Sequence, residues 1–208
     1  MIDHETLITN IRRKPLPWLL LSGLLTSAFF LLYLAPEEAT LGTGIRAVYI
    51  HVSLTWTGMA GLALAGLLGL AVLISANEKL ARLMHTFGWV AFGFYLAGII
   101  MSAIASWVNW GGVFWQEPRM AAALNSLAVA TIILILSMWV PVVRIRGFLQ
   151  AVIPVVITYI TYSAPLVLHP DNPIRSSEAT GIQVAFVGLF LLCSAIAAWI
   201  IWRLVTTK

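Results

Sequence analysis

Six stretches of this chain are apolar for longer than any strand or amphipathic helix of a water-soluble core requires. They run approximately from Trp18 to Leu34, Ala47 to Ser75, Met84 to Val108, Ala121 to Val143, Phe148 to Leu168 and Ile182 to Trp202. A helix needs about 20 mostly apolar residues to cross a bilayer, and it satisfies its own backbone hydrogen bonds as it does so. With 61% hydrophobic and 10% charged residues, the sequence predicts an all-α, polytopic membrane protein with six transmembrane helices and short joining loops.

The charges divide unequally between the two sets of loops. Arg12, Arg13, Lys14, Lys79, Arg82, Arg144, Arg146, Arg203 and Lys208 fall on one side. Arg46, Arg119 and Arg175 fall on the other, accompanied by Glu37, Glu38, Glu117, Asp171 and Glu178. Basic loops stay inside, so both termini are expected to be cytoplasmic. The first apolar run follows a basic stretch, as in a signal peptide. It is longer than a usual h-region, however, and ends in Leu34-Ala35-Pro36-Glu37-Glu38, a poor cleavage site, so an uncleaved first helix is expected. A pI near 9.6 does not indicate nucleic acid, because the basic residues are scattered over helix ends and form no dense phosphate-binding face. The single cysteine, Cys193, excludes an intramolecular disulfide, a dithiol redox pair and a covalent C-x-x-C-H haem site. With no internal repeat, low-complexity segment or linker, residues 1–208 are expected to form one six-helix domain.

Between the third and fourth runs stands Trp107-Val108-Asn109-Trp110-Gly111-Gly112-Val113-Phe114-Trp115-Gln116-Glu117-Pro118-Arg119, read as an outer loop over 107–119. Three tryptophans, a phenylalanine and both signs of charge at a membrane surface suit a flat, partly apolar ligand. They equally suit the aromatic belt found at membrane interfaces. Two of the four histidines, His51 and His169, fall near the same surface, whereas His4 and His85 belong to the cytoplasmic side. His51 lies about 7 to 8 Å into the second helix from Arg46, near the depth of the tryptophans.

Two imidazoles on different helices can ligate haem iron from opposite faces, with aromatic rings covering the macrocycle and Arg46, Arg119 or Arg175 pairing with propionates. A structural hydrogen bond for His51, a helix cap for His169 and snorkelling for Arg46 and Arg119 are the plainer alternatives. Met120 and Met138 read as packing residues. Other metal chemistry fits less well, since no second histidine lies at i+3 or i+4 to His51 and no thiolate set exists. A glycine-rich phosphate loop and a serine nucleophile motif are also missing from the sequence.

Arg46-Ala47-Val48-Tyr49-Ile50-His51-Val52, with Trp56 five residues beyond His51, resembles the opening of the second helix in the haem exporter C (CcmC) branch of the cytochrome c assembly family. The family's tryptophan-rich outer segment, the WWD domain, has the form W-G-x-x-W-x-W-D-x-[RK]. Trp110 to Arg119 aligns with it without a gap. Gln116 stands where a tryptophan precedes the acid, Phe114 holds another aromatic position, and Glu117 replaces aspartate.

The resemblance implies a haem-handling protein of cytochrome c maturation in the bacterial cytoplasmic (inner) membrane. It would hold haem b non-covalently and transiently at the outer face and present it to a periplasmic, CcmE-like haem chaperone. ATP-binding cassette subunits of the CcmA and CcmB type, and a small accessory membrane subunit, would be its partners alongside the lipid bilayer, with no nucleic acid. Carried over residue by residue, His51 and His169 become axial ligands, with Trp110, Trp115, Glu117, Arg119 and Arg46 as further haem contacts. The role implied is transport, not catalysis. A CcsA-type haem lyase, or a membrane subunit that no longer binds haem, are the alternatives.

Overall fold

The computed structural model describes residues 15–165 and 179–206. Among these residues the chain is helical, with no strand beyond one bridged pair, Glu38 and Gly42. The helices are α1 (Pro15–Leu34), α2 (Ile45–Ser75), α3 (Glu78–Trp110), α4 (Pro118–Trp139), α5 (Val143–Ser163) and α6 (Thr180–Thr206). All six are long and apolar enough to cross a membrane. The all-α, multi-pass architecture expected from the apolar runs is therefore the one observed.

Several boundaries differ from expectation where local chemistry overrides hydropathy. α3 starts at Glu78 and not Met84, because the Asn77 side chain accepts from the N–H groups of Lys79 and Leu80 at 2.9 and 3.1 Å, an N-cap. It continues past Val108 to Trp110, where Gly111 takes φ 72° and its N–H bonds the carbonyl of Trp107. The expected 107–119 loop thus shrinks to the turn between Trp110 and Pro118.

α4 and α5 meet earlier than expected. Pro141 drives the residue before it out of the helical region, and Val140 has φ −78° and ψ 118°. The break therefore falls before the arginines, and Arg144 and Arg146 join α5. There Arg144 donates to the carbonyls of Leu73 and Ile74 at 2.7 and 2.8 Å, satisfying the end of α2. The helix α5 ends at Ser163, short of Leu168, which lies outside the described residues.

α2 is the central element. It packs along α3 and α5 and touches α6, whereas α1 rests on α6 and buries none of its spanning segment. Lipid tails are as apolar as leucine, so helices in a bilayer associate through close packing and not through exclusion of water. Here small residues bring backbones together: a Cβ added to Gly58 would stand 2.5 Å from the backbone N of Tyr95. Where α2 meets α5, a Cβ on Gly147 would stand 2.6 Å from the N of Leu73. Leu62, Ala91, Tyr95, Leu134 and Ile153 fill the space among α2, α3, α4 and α5.

The described ends of the chain meet. Trp199 Nε1 donates to the carbonyl of Pro17 at 3.0 Å, and the rings of Trp18 and Trp199 lie 5.4 Å apart. Pro15 and Thr206 are thus at one end of the bundle, together with Arg82, Arg144 and Arg146, and the tryptophan turn is at the other. Gly58→Leu should lower the unfolding midpoint of the detergent-purified protein by an amount matching roughly 1–3 kcal/mol of overpacking, or prevent its recovery. Gly23→Leu, with nothing within 4 Å of its added Cβ, should melt like the parent in the same thermal scan.

Candidate functional site

His51 is in the second turn of α2 and turns toward α3, where its Nδ1 lies 2.9 Å from the carbonyl oxygen of Gly98. A carbonyl only accepts, so Nδ1 carries the proton and the neutral ring keeps its basic lone pair on Nε2. Thr55 reinforces this placement: its Oγ1 donates to the His51 carbonyl at 2.8 Å and lies 3.4 Å from Nδ1. Gly98 is what lets the ring approach, because a Cβ there would stand 2.7 Å from the N of Thr55. Metal-bound histidines are commonly oriented in this way, with the second nitrogen donating to a backbone carbonyl.

The register of α2 against α3 fixes the depth of His51. Gly58 faces Tyr95, Thr55 faces Gly98 and Gly44 packs on Asn109, so the residue level with His51 is Ser102. Trp110 lies eight residues farther toward the end of α3, about 12 Å along its axis. The expectation that His51 shares the depth of the tryptophans is corrected accordingly: the imidazole is more than a full turn deeper. Sequence spacing from Arg46 could not show this, because α3 extends beyond the start of α2.

At the end of the bundle, Trp107, Trp110 and Trp115 are 64%, 59% and 56% exposed, so their faces are open to the surroundings and not spent on the core. The turn that carries Trp115 is nevertheless fixed. Ser106 Oγ donates to the carbonyl of Gly112 at 2.7 Å, and the N–H of Glu117 bonds the carbonyl of Phe114 at 3.1 Å. Glu117 is buried and serves as the N-cap of α4, its Oε2 accepting from the N–H of Met120 at 2.8 Å. Its negative charge also suits the positive end of that helix. Arg119, in the first turn of α4, is half-buried, and its Nε is enclosed without a hydrogen-bond partner among the described residues.

Arg46 opens α2 beside the same end. Its Nη2 lies 3.9 Å from Glu37 Oε1, and its guanidinium sits 5.8 Å from the centre of the Tyr33 ring. The short segment before it is braced by Glu38, which accepts from the N–H groups of Thr40 and Leu41, both at 2.8 Å. These bonds favour the ionised form and hold the Glu38 carboxyl below the usual glutamate range. The bracing is therefore present above the ordinary glutamate pKa and is lost as pH falls through the lowered one. His169 and Arg175 lie outside the described residues.

No protein-family model matches the chain, and no curated protein matches it significantly.

Asn109 and Tyr49, neither of them expected as a site residue, hold this end together. Asn109 Nδ2 donates to the carbonyls of Gly44 and Ala105 at 3.2 and 2.8 Å, tying the start of α2 to the end of α3. Tyr49, fully buried, donates to the carbonyl of Pro36 at 2.9 Å and packs edge-on against Phe186 at 4.6 Å. A polar residue between two tryptophans was the available signal for Asn109. Two clefts on the described helices, of about 310 and 260 Å³, are lined neither by His51 nor by the tryptophan turn. Among the described residues no group of three or more histidine, cysteine or carboxylate side chains gathers into a metal site.

Because Glu117 caps α4, Glu117→Ala should cost about 1 kcal/mol and accelerate amide hydrogen exchange in the first turn of that helix. Glu117→Gln keeps an acceptor for the Met120 N–H and should retain most of the protection. Equal exchange in parent and alanine variant would remove the capping role.

Proposed function

We propose that this chain handles haem in cytochrome c maturation, as its resemblance to the haem exporter C branch of the cytochrome c assembly family implies. In this reading it lies in the bacterial cytoplasmic membrane with both termini inside and the tryptophan turn outside. The observation that carries the proposal is the hydrogen bond from His51 Nδ1 to the Gly98 carbonyl, which sets the ring in the tautomer an axial ligand needs. The uneven division of lysine and arginine between the two ends supports the orientation.

The protein's own groups then divide the work. His51 is the proposed axial ligand on α2, Thr55 and Gly98 hold its ring, and Trp110 and Trp115 provide exposed aromatic surface farther out. Arg119 and Arg46 supply positive charge where propionates would emerge, and Glu117 fixes the turn. Haem, when bound, supplies an iron centre that takes imidazole and a macrocycle edge that a partner can grasp. With Trp110 about 12 Å farther out than His51, the two would hold different parts of the group, His51 its iron and the turn its outermost edge. His169 is the proposed second ligand. Presentation to a periplasmic, CcmE-like chaperone beside CcmA- and CcmB-like subunits requires no bond-making by this chain, so a transport role is preferred to an enzyme.

A second reading has its own support: three tryptophans more than half exposed at a helix end are what an interfacial belt looks like. On that reading the chain is a membrane subunit without haem. His51→Ala separates the two. It should abolish or strongly shift the Soret band of the haem-loaded, purified protein, with added imidazole restoring the band by filling the vacated position. Trp110→Ala combined with Trp115→Ala should weaken haem retention while leaving membrane insertion intact. An unchanged spectrum in a folded His51→Ala protein would leave His51 a structural residue and favour the belt.

A further inference from the structure

At the end of the bundle opposite the tryptophans, α3, α4 and α5 line an open cleft of about 260 Å³ that mixes apolar residues with basic and hydroxyl side chains. Arg82, His85 and Thr86 come from α3, Ser137 and Met138 from α4, and Arg146 from α5. The two hydroxyls have spent their protons on the backbone: Thr86 donates to the carbonyl of Arg82 at 3.0 Å and Ser137 to that of Leu134 at 2.8 Å. Trp89 donates to His85 Nε2 at 3.0 Å, which leaves the N–H of a neutral His85 ring on Nδ1. The donors that characterise the cleft are therefore the two guanidiniums.

Their charge is only half matched. Arg146 directs a single nitrogen, Nη2, at both carboxylate oxygens of Glu78, 3.0 Å from each. Its Nε is enclosed without a hydrogen-bond partner among the described residues. An enclosed N–H of a charged group is costly unless an acceptor reaches it. Arg82, at the lip of the cleft, makes no ion pair among the described residues. Arg144, the next basic group, is committed to the carbonyls of Leu73 and Ile74. Glu78 engages Arg146 alone among the described residues, and the cleft has room and donors for an anion.

We propose that this cleft binds a phosphate group, with Arg82 and Arg146 as its principal donors. A tetrahedral anion with several acceptor oxygens suits guanidiniums arriving from two helices. Basic pockets between transmembrane helices are a recognised seat for acidic phospholipid headgroups. The membrane surface beside the cleft agrees: Ile135, Met138 and Trp139 project from α4 and are exposed, offering a path for acyl chains. A lipid headgroup is accordingly the favoured source of the phosphate, and a soluble phosphate is the alternative source of the same chemistry. The site is separate from His51 and depends on no haem.

The test uses the full-length protein in detergent, stripped of lipid, with cardiolipin, phosphatidylcholine and inorganic phosphate as probes. Native mass spectrometry and thermal unfolding are the readouts. Cardiolipin should be retained at least tenfold more strongly than phosphatidylcholine and should raise the unfolding midpoint. Arg82→Gln, an exposed position, should erase that preference, whereas Lys79→Gln, on the same helix end but outside the cleft, should keep it. Protection by cardiolipin alone supports the lipid source, and equal protection by inorganic phosphate supports the soluble one. Absence of any preference for the phosphate anion over the zwitterionic lipid, or equal loss in the Lys79 variant, would overturn the site.

Discussion

The close approach of α2 to α3 is the constraint on which the rest of this structure depends. In a bilayer the two helices gain nothing from hiding apolar surface, so they must gain it from contact, and contact requires that backbones meet. Gly58 against Tyr95 and Thr55 against Gly98 provide that meeting. Once these pairs are in register, every other relation along the two helices follows. Asn109 falls beside Gly44, Tyr49 turns toward Pro36 and Phe186, and His51 is carried against the Gly98 carbonyl. A slip by one turn would remove the His51 acceptor and the Asn109 tie together.

That interlock also explains why the functional end has two levels. α3 extends beyond the start of α2, and Gly111 and Glu117 turn the chain back into α4 only after Trp110. His51 is held inside the bundle by a backbone carbonyl, while the tryptophans stand beyond it on a rigid but exposed platform. The far end is organised by different means: Arg144 completes α2 and Arg146 engages Glu78.

Much of the architecture was legible because apolar length is a direct consequence of spanning a bilayer. The six runs needed no tertiary information, but hydropathy alone missed both ends of α3, which the capping chemistry of Asn77 and Gly111 sets. The α4–α5 break was misplaced because Arg144-Ile145-Arg146 looked like a loop by charge, whereas Pro141 governed the backbone. Arg144 belongs to a helix because its partner carbonyls lie some 70 residues away, at the end of α2, and no local pattern reveals them. For the site, His51 was visible as an ionisable residue in an apolar run, but Gly98 and Thr55, which set its tautomer, were not. The depth of His51 relative to Trp110 was likewise hidden, since it depends on register and not on spacing. His169 lies outside the described residues, so its place beside His51 rests on the resemblance.

The proposed binding of haem through an imidazole is read by absorption spectroscopy of the purified, unmutated protein titrated with haem. A Soret band should grow to saturation at one haem per chain, with the spectral form of an imidazole-ligated iron. A titration that yields only the spectrum of haem dispersed in detergent, with no saturation point, would contradict it.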